Sequence, residues 1–167
     1  MLNRNDFKDV VKNTNLLAFD LIIRNYKNEV LIAKRNNSPA KGFWFVPGGR
    51  VFKNENLNDA FARILKSELG LLQESFKSIK AIGLYNHIYK DNAFEDETFN
   101  THYIVYAIEC ILDKEVNILI DSQHSEYQFF TESQIRKNDD VHLYTRSYFL
   151  NTPANIFEIK KSKKLVV

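Results

Sequence analysis

The 167-residue sequence has little cysteine, little net charge and no long apolar segment. Its one cysteine, Cys110, excludes a disulfide within the chain, and the apolar run YIVYAIECIL around it predicts a buried thiol. A formal net charge of +2 is too close to balance to indicate binding to nucleic acid or to a membrane surface. The longest apolar run, LLAFDLII, is short and contains Asp20. We therefore expect a cytoplasmic protein without nucleic-acid or membrane partners.

Aromatic residues are plentiful, with 13 Phe and 8 Tyr, as expected for a folded domain with a sizeable core. The runs LLAFDLII and EVLIAKR predict a hairpin, and FWFVPGG predicts a short strand that ends at Pro47 and the two glycines. Three more strand-like runs follow: IKAIGLYNHIY, THYIVYAIECIL and EYQFF. Helical spacing predicts an arm helix over 5–12 and short helices over 133–137 and 143–150. These elements predict one α/β (α+β) domain, residues 1–153.

Residues 154–167 form a basic tail that ends in KKSKKLVV. One short lysine cluster on a nearly neutral chain is typical of a solvated terminus. An electrostatic anchor is the alternative role for this segment.

The clearest helix covers residues 56–69, where apolar residues recur at helical spacing and Gly70 is a C-terminal stop. On a helical wheel, Glu68 falls between Phe61 and Ile64, near the middle of the apolar stripe. Because a buried carboxylate is costly unless it is paired, metal-bound or protonated, Glu68 needs a partner. A core-facing arginine is one candidate. A metal ion is the other, and the glycine pair in the preceding VPGGRV favours it, since glycines leave backbone groups accessible to a ligand.

The segment from Gly49 to Leu71 resembles the Nudix box, G-x5-E-x7-R-E-U-x-E-E-x-G-U, in which U is aliphatic. The matching positions are Gly49, Glu55, Arg63, Leu65, Glu68, Gly70 and Leu71. Ile64 and Ser67 stand where the box has two further glutamates. The box of the GDP-mannose mannosyl hydrolases has the same two glutamates replaced, and this chain resembles that branch in the segments AKRNNSPAKGFWFVPGGRV, FNTHYIVY and DSQHSEYQFF. The resemblance extends over about the first 150 residues.

This resemblance implies a Nudix fold, in which a mixed β-sheet is sandwiched between helices, and a homodimer. It also implies one Mg²⁺ in each active site, for which Mn²⁺ can substitute. The implied ligands are the Gly48 carbonyl, Glu68 and Gln123, and one carboxylate with two neutral oxygens suits an ion that completes its octahedron with water and substrate phosphates. The pair Glu55 and Arg63 is implied to brace the helix against the loop before it.

The resemblance also assigns residues to the reaction. His124 corresponds to the general base, and an imidazole that titrates near pH 6.5 can accept a proton from water at neutral pH. Arg35 and Arg50 correspond to arginines that contact the diphosphate, where a forked guanidinium suits phosphate oxygens. Tyr103 corresponds to a tyrosine that donates to the leaving phosphate. Because THYIVYAIECIL is apolar on both faces, Tyr103 could equally be a core aromatic.

Four further residues correspond to substrate contacts. Asp20 and His87 match groups near the sugar, and Asp20 is the one acid within its apolar strand, although an edge position facing solvent is the alternative. Leu2 and Phe7 match an arm that touches the nucleotide base. An aromatic residue in an amphipathic helix often serves packing alone, so Phe7 has that alternative as well.

With one helix carboxylate, attack of water on phosphorus is the weaker expectation, because clustered metals usually assist that reaction. Attack on the anomeric carbon instead releases the intact nucleoside diphosphate, which Mg²⁺, the two arginines and Tyr103 stabilise while His124 activates water. The expected reaction is hydrolysis of GDP-mannose, or a related GDP-hexose, to GDP and the sugar with inversion. The alternatives are a pyrophosphohydrolase that releases GMP and sugar 1-phosphate, and a non-catalytic nucleotide-sugar sensor.

Overall fold

The structure is a computed structural model that describes residues 2–119, 124–151, 156 and 157, with the backbone alone at positions 124 and 125. The described helices are α1 (Arg4–Asn13), α2 (Leu57–Leu69), α3 (Glu132–Lys137) and α4 (Leu143–Ser147). The described strands are β1 (Leu16–Arg24), β2 (Val30–Arg35), β3 (Trp44–Phe45), β4 (Gly48–Arg50), β5 (Phe76–Tyr89), β6 (Thr101–Leu112) and β7 (His124–Phe130). One 3₁₀ turn, Gln73–Ser75, precedes β5.

Within these residues the strands form one mixed sheet in the order β3-β2-β1-β6-β5, with β4 attached to β1 and β7 attached to β2. β1 is parallel to β6, and the other pairs are antiparallel. The core has two parts, one on each face of the sheet. One face packs against α2 through residues such as Phe61 and Leu65, and the other packs against the α3–α4 region through Ile135 and Val141. The predicted fold, a mixed sheet between helices, is confirmed.

The predicted hairpin of β1 and β2 is present, and its two strands soon take different neighbours. They pair at Arg24 and Val30, next to the turn. Farther along, β1 pairs with β4 around Asp20, and β2 pairs with β7, where Arg35 lies opposite His124. Because the two strands part in this way, Asp20 and Arg35 come to line one cavity between them.

The helix predicted over 56–69 begins and ends as the sequence indicates. The Asn56 side chain caps its N-terminus by accepting from the Asn58 amide, and Gly70 closes it in the left-handed region, at φ 67°. Ile64 is fully buried and Glu68 is 7% exposed. The carboxylate therefore lies on the buried face of the helix, as the wheel predicts.

The short strand predicted in FWFVPGG is β3, which ends before Pro47, and the glycine pair then begins a further strand, β4. Gly48 lies so close to β1 that a β-carbon there would be 2.3 Å from the Phe19 carbonyl oxygen. A β-carbon on Gly49 would be 3.1 Å from Ile64 of α2. Glycine is needed at these positions because β4 is held tightly between β1 and α2.

Cys110 is fully buried, and burial raises the pKa of its thiol to about 12, which agrees with the predicted packing role. No helix within the described ranges is long and apolar enough to cross a membrane. Most of the predicted tail, 154–167, lies outside the described residues. Of the two tail positions described, Ile156 bridges to Tyr85, and the Phe157 amide donates to the Leu84 carbonyl at 2.8 Å.

Glu55 and Arg63 join the loop before α2 to the helix. Arg63 donates from Nε to Glu55 Oε1 at 2.6 Å and from a terminal nitrogen to Oε2 at 2.8 Å. The same guanidinium donates to the Arg50 carbonyl at 2.8 Å. The hydrogen bond from Arg63 is the main cause that lowers the Glu55 pKa to about 2. The bracing role predicted for this pair is confirmed, and the brace holds the end of β4.

We expect Glu55→Gln to lower the free energy of unfolding by about 1 kcal/mol at pH 7, the upper range for a partly exposed ion pair with good geometry. Because the Glu55 pKa is lowered, the ion pair contributes fully to the free energy of unfolding above pH 4.5, the ordinary pKa of the group. This contribution is lost as the pH falls toward about 2. Urea unfolding at pH 7 and pH 3 should therefore show a smaller difference at pH 3. Glu126→Gln is the control, because its 3.6 Å pair with Lys34 is largely exposed. Equal effects of the two variants would contradict the brace.

Candidate active site

A cavity opens where β1 and β2 part, and six of the predicted site residues line it. These are Asp20, Arg35, Gly48, Arg50, His87 and Tyr103. They come from five different strands, so the fold rather than the local sequence assembles them. Of the other predicted residues, Glu68 lies on α2, which packs behind β4, and Phe7 and Leu2 lie on the N-terminal arm. Gln123 lies outside the described residues.

Arg35 occupies the last position of β2, next to a register shift between β2 and β7. Its Nε is buried and has no hydrogen-bond partner within the described part of the chain. Its guanidinium carbon lies 5.7 Å from the centroid of the Phe45 ring. A buried guanidinium nitrogen that lines a cavity and has no hydrogen-bond partner is suited to bind an anionic ligand. The register also places the His124 backbone opposite Arg35.

Arg50 brings a second guanidinium to the cavity, and the arm helix supports it. Its guanidinium carbon lies 3.9 Å from the centroid of the Phe7 ring, and burial lowers the pKa of Arg50. The Phe7 ring in turn contacts Phe94 at 5.7 Å between centroids, while Leu2 is 56% exposed. Phe7 therefore packs on an arginine of the cavity. This contact is additional to the contact with the nucleotide base that the family resemblance implies.

The acidic loop between β5 and β6 is folded against the arm. The Asn92 side chain, 2% exposed, donates to the carbonyls of Asp96 and Phe99 at 2.7 and 2.8 Å. Asp96 forms a 2.7 Å ion pair with Lys8 of α1. The loop thus fastens α1, and with it Phe7, beside Arg50.

We expect Phe7→Leu to raise the KM for a nucleotide substrate about 2- to 10-fold with little change in kcat, because a cation–π contact contributes about 0.5–1 kcal/mol or somewhat more when desolvated. Steady-state kinetics on the variant measures this effect. Phe99→Leu is the control, since Phe99 contacts Lys8 of the same arm. If both variants weaken binding equally, attachment of the arm matters and the stacking on Arg50 does not.

Asp20 is buried, with 8% exposure, so the alternative of a solvent-facing edge position is wrong. The Tyr148 hydroxyl donates to its Oδ2 at 2.5 Å. Burial raises the pKa of Asp20 to about 6, although the bond from Tyr148 and the charge of Arg35 lower it. A carboxyl group that lines a cavity and is largely ionised at neutral pH can accept hydrogen bonds from a neutral, hydroxyl-bearing ligand.

His87 is 1% exposed and stacks on Tyr144, with 4.1 Å between centroids and 2° between planes. Burial, assisted by His142, lowers the pKa of His87 to about 3. His87 is therefore neutral at physiological pH and can exchange one donor and one acceptor with a ligand. Proton transfer at neutral pH does not suit it.

Tyr103 lines the cavity and also packs against the core on the α3–α4 side. Burial raises its pKa, while Arg50 and Arg35 lower it. Its hydroxyl stays protonated at neutral pH and can donate to an anionic group bound beside the two arginines.

Three tyrosines at the site were not found from the sequence: Tyr89, which lines the cavity, and Tyr144 and Tyr148, which contact His87 and Asp20. A signal for the last two was present. They are four residues apart in the short predicted helix 143–150, and that spacing places two rings on one helix face. Which residues they would meet could not be read from this spacing.

The helix carboxylate fits one divalent cation. Glu68 lies one turn after Ile64, whose side chain contacts Gly49, so its carboxylate is on the face of α2 that packs against β4. In the described ranges no three His, Cys, Asp or Glu residues cluster to hold a metal. A donor set with one carboxylate and backbone carbonyls as its neutral oxygens suits Mg²⁺, which keeps several waters. Ile64 is fully buried and supplies no ligand.

A cavity with two arginines and a protonated tyrosine, beside a helix with one buried carboxylate, is typical of a hydrolase that acts on phosphate compounds. The NUDIX domain model matches residues 14–149. The chain therefore belongs to the Nudix family. Enzymes of this family generally use divalent metals such as Mg²⁺ and bind substrates derived from nucleotides.

Two related proteins match different lengths of this chain. The chain is 36% identical over 143 residues to the low-salt glycan biosynthesis protein Agl8 of Haloferax volcanii, covering 86% of this chain and 85% of that protein. It is 39% identical over 70 residues to the ADP-ribose pyrophosphatase of Methanocaldococcus jannaschii, covering 42% of this chain and 39% of that protein.

Solved structures show the same fold. The MutT protein from Methanosarcina mazei Go1 matches with a TM-score of 0.61 at 24% identity, over 81% of this chain and 90% of that one. The NUDIX domain of Shewanella oneidensis NrtR, complexed with ADP ribose, also gives 0.61, at 15% identity over 88% of this chain and 96% of that one.

Proposed function

We propose that this chain hydrolyses GDP-mannose, or a related GDP-hexose, to GDP and the free sugar by attack of water on the anomeric carbon with inversion. The observation that carries the proposal is the burial of Ile64 against Gly49. An aliphatic side chain fills the place of a box glutamate, and α2 keeps one carboxylate, Glu68, on that face. This supports a reaction that needs less metal charge than attack on phosphorus.

The leaving group in this reaction is the intact nucleoside diphosphate. Arg35 and Arg50 would bind its phosphate oxygens, and Tyr103 would donate a hydrogen bond to the oxygen released from the sugar. All three side chains line the same cavity. The charge that develops on the diphosphate would therefore meet fixed positive charge and a fixed donor.

Glu68, the Gly48 carbonyl and Gln123 would hold the cation. When bound, Mg²⁺, or Mn²⁺ in its place, supplies positive charge to the leaving diphosphate. His124, whose backbone pairs with that of Arg35, would accept the proton of the attacking water. Asp20 and His87 would accept and exchange hydrogen bonds with the sugar, and Leu2 and Phe7 would lie toward the nucleotide base. We also propose a homodimer.

The Agl8 match supports a sugar-nucleotide substrate, because glycan biosynthesis draws on such compounds and the match extends over most of both chains. The partial match to an ADP-ribose pyrophosphatase favours a second candidate, cleavage of the diphosphate to release GMP and sugar 1-phosphate. A nucleotide-sugar sensor without turnover is the third possibility.

Hydrolysis in ¹⁸O-labelled water separates the candidates. With GDP-mannose and Mg²⁺, we expect mass spectrometry to find the label in mannose and none in GDP. Label in GMP or in sugar 1-phosphate would identify the pyrophosphohydrolase and overturn the proposed reaction. Binding of GDP-mannose with no product at all would identify the sensor.

A further inference from the structure

We propose that Tyr148 is a positioning residue that fixes the Asp20 carboxylate for the bound sugar and thereby sharpens selectivity among hexoses. The inference rests on the proposed function, and it adds to that function a residue outside the Nudix box and outside the cavity lining. It is carried by the contacts of Tyr148, the residue that caps the C-terminus of α4, with the strands that form the cavity.

The two oxygens of Asp20 have different surroundings. Oδ2 accepts the hydrogen bond from the Tyr148 hydroxyl at 2.5 Å. Oδ1 lies beside Gly48, 2.9 Å from the position that a β-carbon on that glycine would take. Because Gly48 has no side chain and lines the cavity together with Asp20, Oδ1 would be the oxygen that accepts from a sugar hydroxyl. Tyr148 would thus set which carboxylate oxygen faces the ligand.

The Tyr148 hydroxyl is itself held firmly. Its ring meets Tyr85 edge-on, with 4.7 Å between centroids and 87° between planes, and its oxygen lies 3.4 Å from His87 Nε2. One turn earlier on α4, the Tyr144 hydroxyl donates to the Ile88 carbonyl at 2.7 Å and accepts from the Ile88 amide at 2.8 Å. These contacts tie α4 to β5 and keep the donor at one place.

Without this donor, the Asp20 carboxylate has a competing partner. Arg35 lines the same cavity with the opposite charge and acts electrostatically on Asp20. Rotation of the aspartate about χ2 costs little, because that torsion has broad minima. A carboxylate turned toward Arg35 would no longer accept a hydrogen bond from the sugar hydroxyl. Tyr148 keeps Asp20 turned toward the sugar.

The test is a comparison of four proteins: wild type, Tyr148→Phe, Asp20→Asn and the double variant. Each is assayed with GDP-mannose and with GDP-glucose, its C2 epimer, and GDP is titrated as a competitive inhibitor. Tyr148→Phe removes one oxygen and keeps the ring against Tyr85. Tyr85→Phe is the matched control, since it removes a hydroxyl from the neighbouring ring without touching Asp20.

We expect Tyr148→Phe to lower kcat/KM for GDP-mannose about 10- to 100-fold, as for loss of a hydrogen bond to a charged group. The preference over GDP-glucose should shrink, while the GDP inhibition constant and the activity of Tyr85→Phe should each change less than about twofold. In the Asp20→Asn background the same substitution should have less than about a twofold effect, because Tyr148 acts through Asp20. Asp20→Asn alone should also lose selectivity, which provides a second measurement if Tyr148→Phe folds poorly.

An equal loss from Tyr148→Phe in both backgrounds would overturn the inference, and so would a parallel loss of GDP binding. The proposed function is judged separately, by the products of the wild type. If wild type releases GMP instead of mannose, the four proteins are compared by GMP release on the same substrates. The same two outcomes then decide the role of Tyr148.

Discussion

Replacement of His124 by glutamine is expected to lower kcat for GDP-mannose hydrolysis by about 10²- to 10⁴-fold, the usual contribution of a general base. Binding of GDP-mannose should change little. Glutamine keeps a polar side chain of similar length but cannot take a proton from water at neutral pH. The expected result is therefore a variant that binds its substrate and hardly turns it over.

The structure supports this choice of base by excluding the one histidine among the described residues that lines the cavity. His87 lines the cavity, but burial lowers its pKa to about 3. It would remain unprotonated throughout the physiological range and is too weak a base for this task. His124 lies at the start of β7, and its backbone pairs with Arg35. The backbone pairing therefore brings this part of β7 next to one of the arginines that line the cavity.

Single-turnover kinetics and equilibrium binding of GDP-mannose together measure the His124→Gln effect. His102→Gln is the matched control, because His102 pairs with Asn86 at 2.6 Å on the sheet and is not among the cavity residues. The control should retain nearly full activity. If His124→Gln also keeps nearly full kcat, another group activates the water.

Much of the α2 region could be predicted from the sequence because its determinants are local. Apolar spacing, the Asn56 cap and Gly70 fix the helix, and the wheel alone places Glu68 on its buried face. Short-range periodicity is sufficient for the helix, whereas the Glu55–Arg63 pair was implied by the resemblance to the Nudix box.

The rest of the site depends on contacts between distant parts of the chain. Asp20 and Tyr148 are 128 positions apart, and nothing near either residue indicates the other. The parallel pairing of β1 with β6 is likewise invisible in local patterns. The glycine pair was interpreted as the end of a strand because glycine usually interrupts one, whereas the tight space between β1 and α2 makes glycine necessary within β4. Phe7 was matched to a base contact, and its packing on Arg50 appears in three dimensions alone.

Replacement of Glu68 by glutamine is expected to abolish tight binding of Mn²⁺ and to lower kcat/KM with Mg²⁺ by about 10²- to 10³-fold, the loss typical of one electrostatic stabiliser. Glu68 is the one carboxylate on the face of α2 that packs against β4. Ile64 is aliphatic, and the Ser67 hydroxyl donates its hydrogen bond to the Ile64 carbonyl at 3.4 Å. Hard cations bind carboxylate oxygens far better than amides. Because Ile64 and Ser67 replace the two other helix glutamates of the box, no carboxylate is left on that face of α2 to compensate, and the loss should be large.

Paramagnetic resonance of Mn²⁺ gives the affinity directly, and the Mg²⁺ dependence of kcat/KM gives the functional effect. Glu74→Gln is the control, since it removes an exposed carboxylate just after α2. The Glu68 variant should stay folded because Arg63 keeps its hydrogen bonds to Glu55. Undiminished Mn²⁺ affinity in Glu68→Gln would show that the cation is held elsewhere. The replacement of Ile64 and Ser67 would then no longer explain how this chain manages with one carboxylate on the helix, and the preference for attack at the sugar carbon would lose its physical basis.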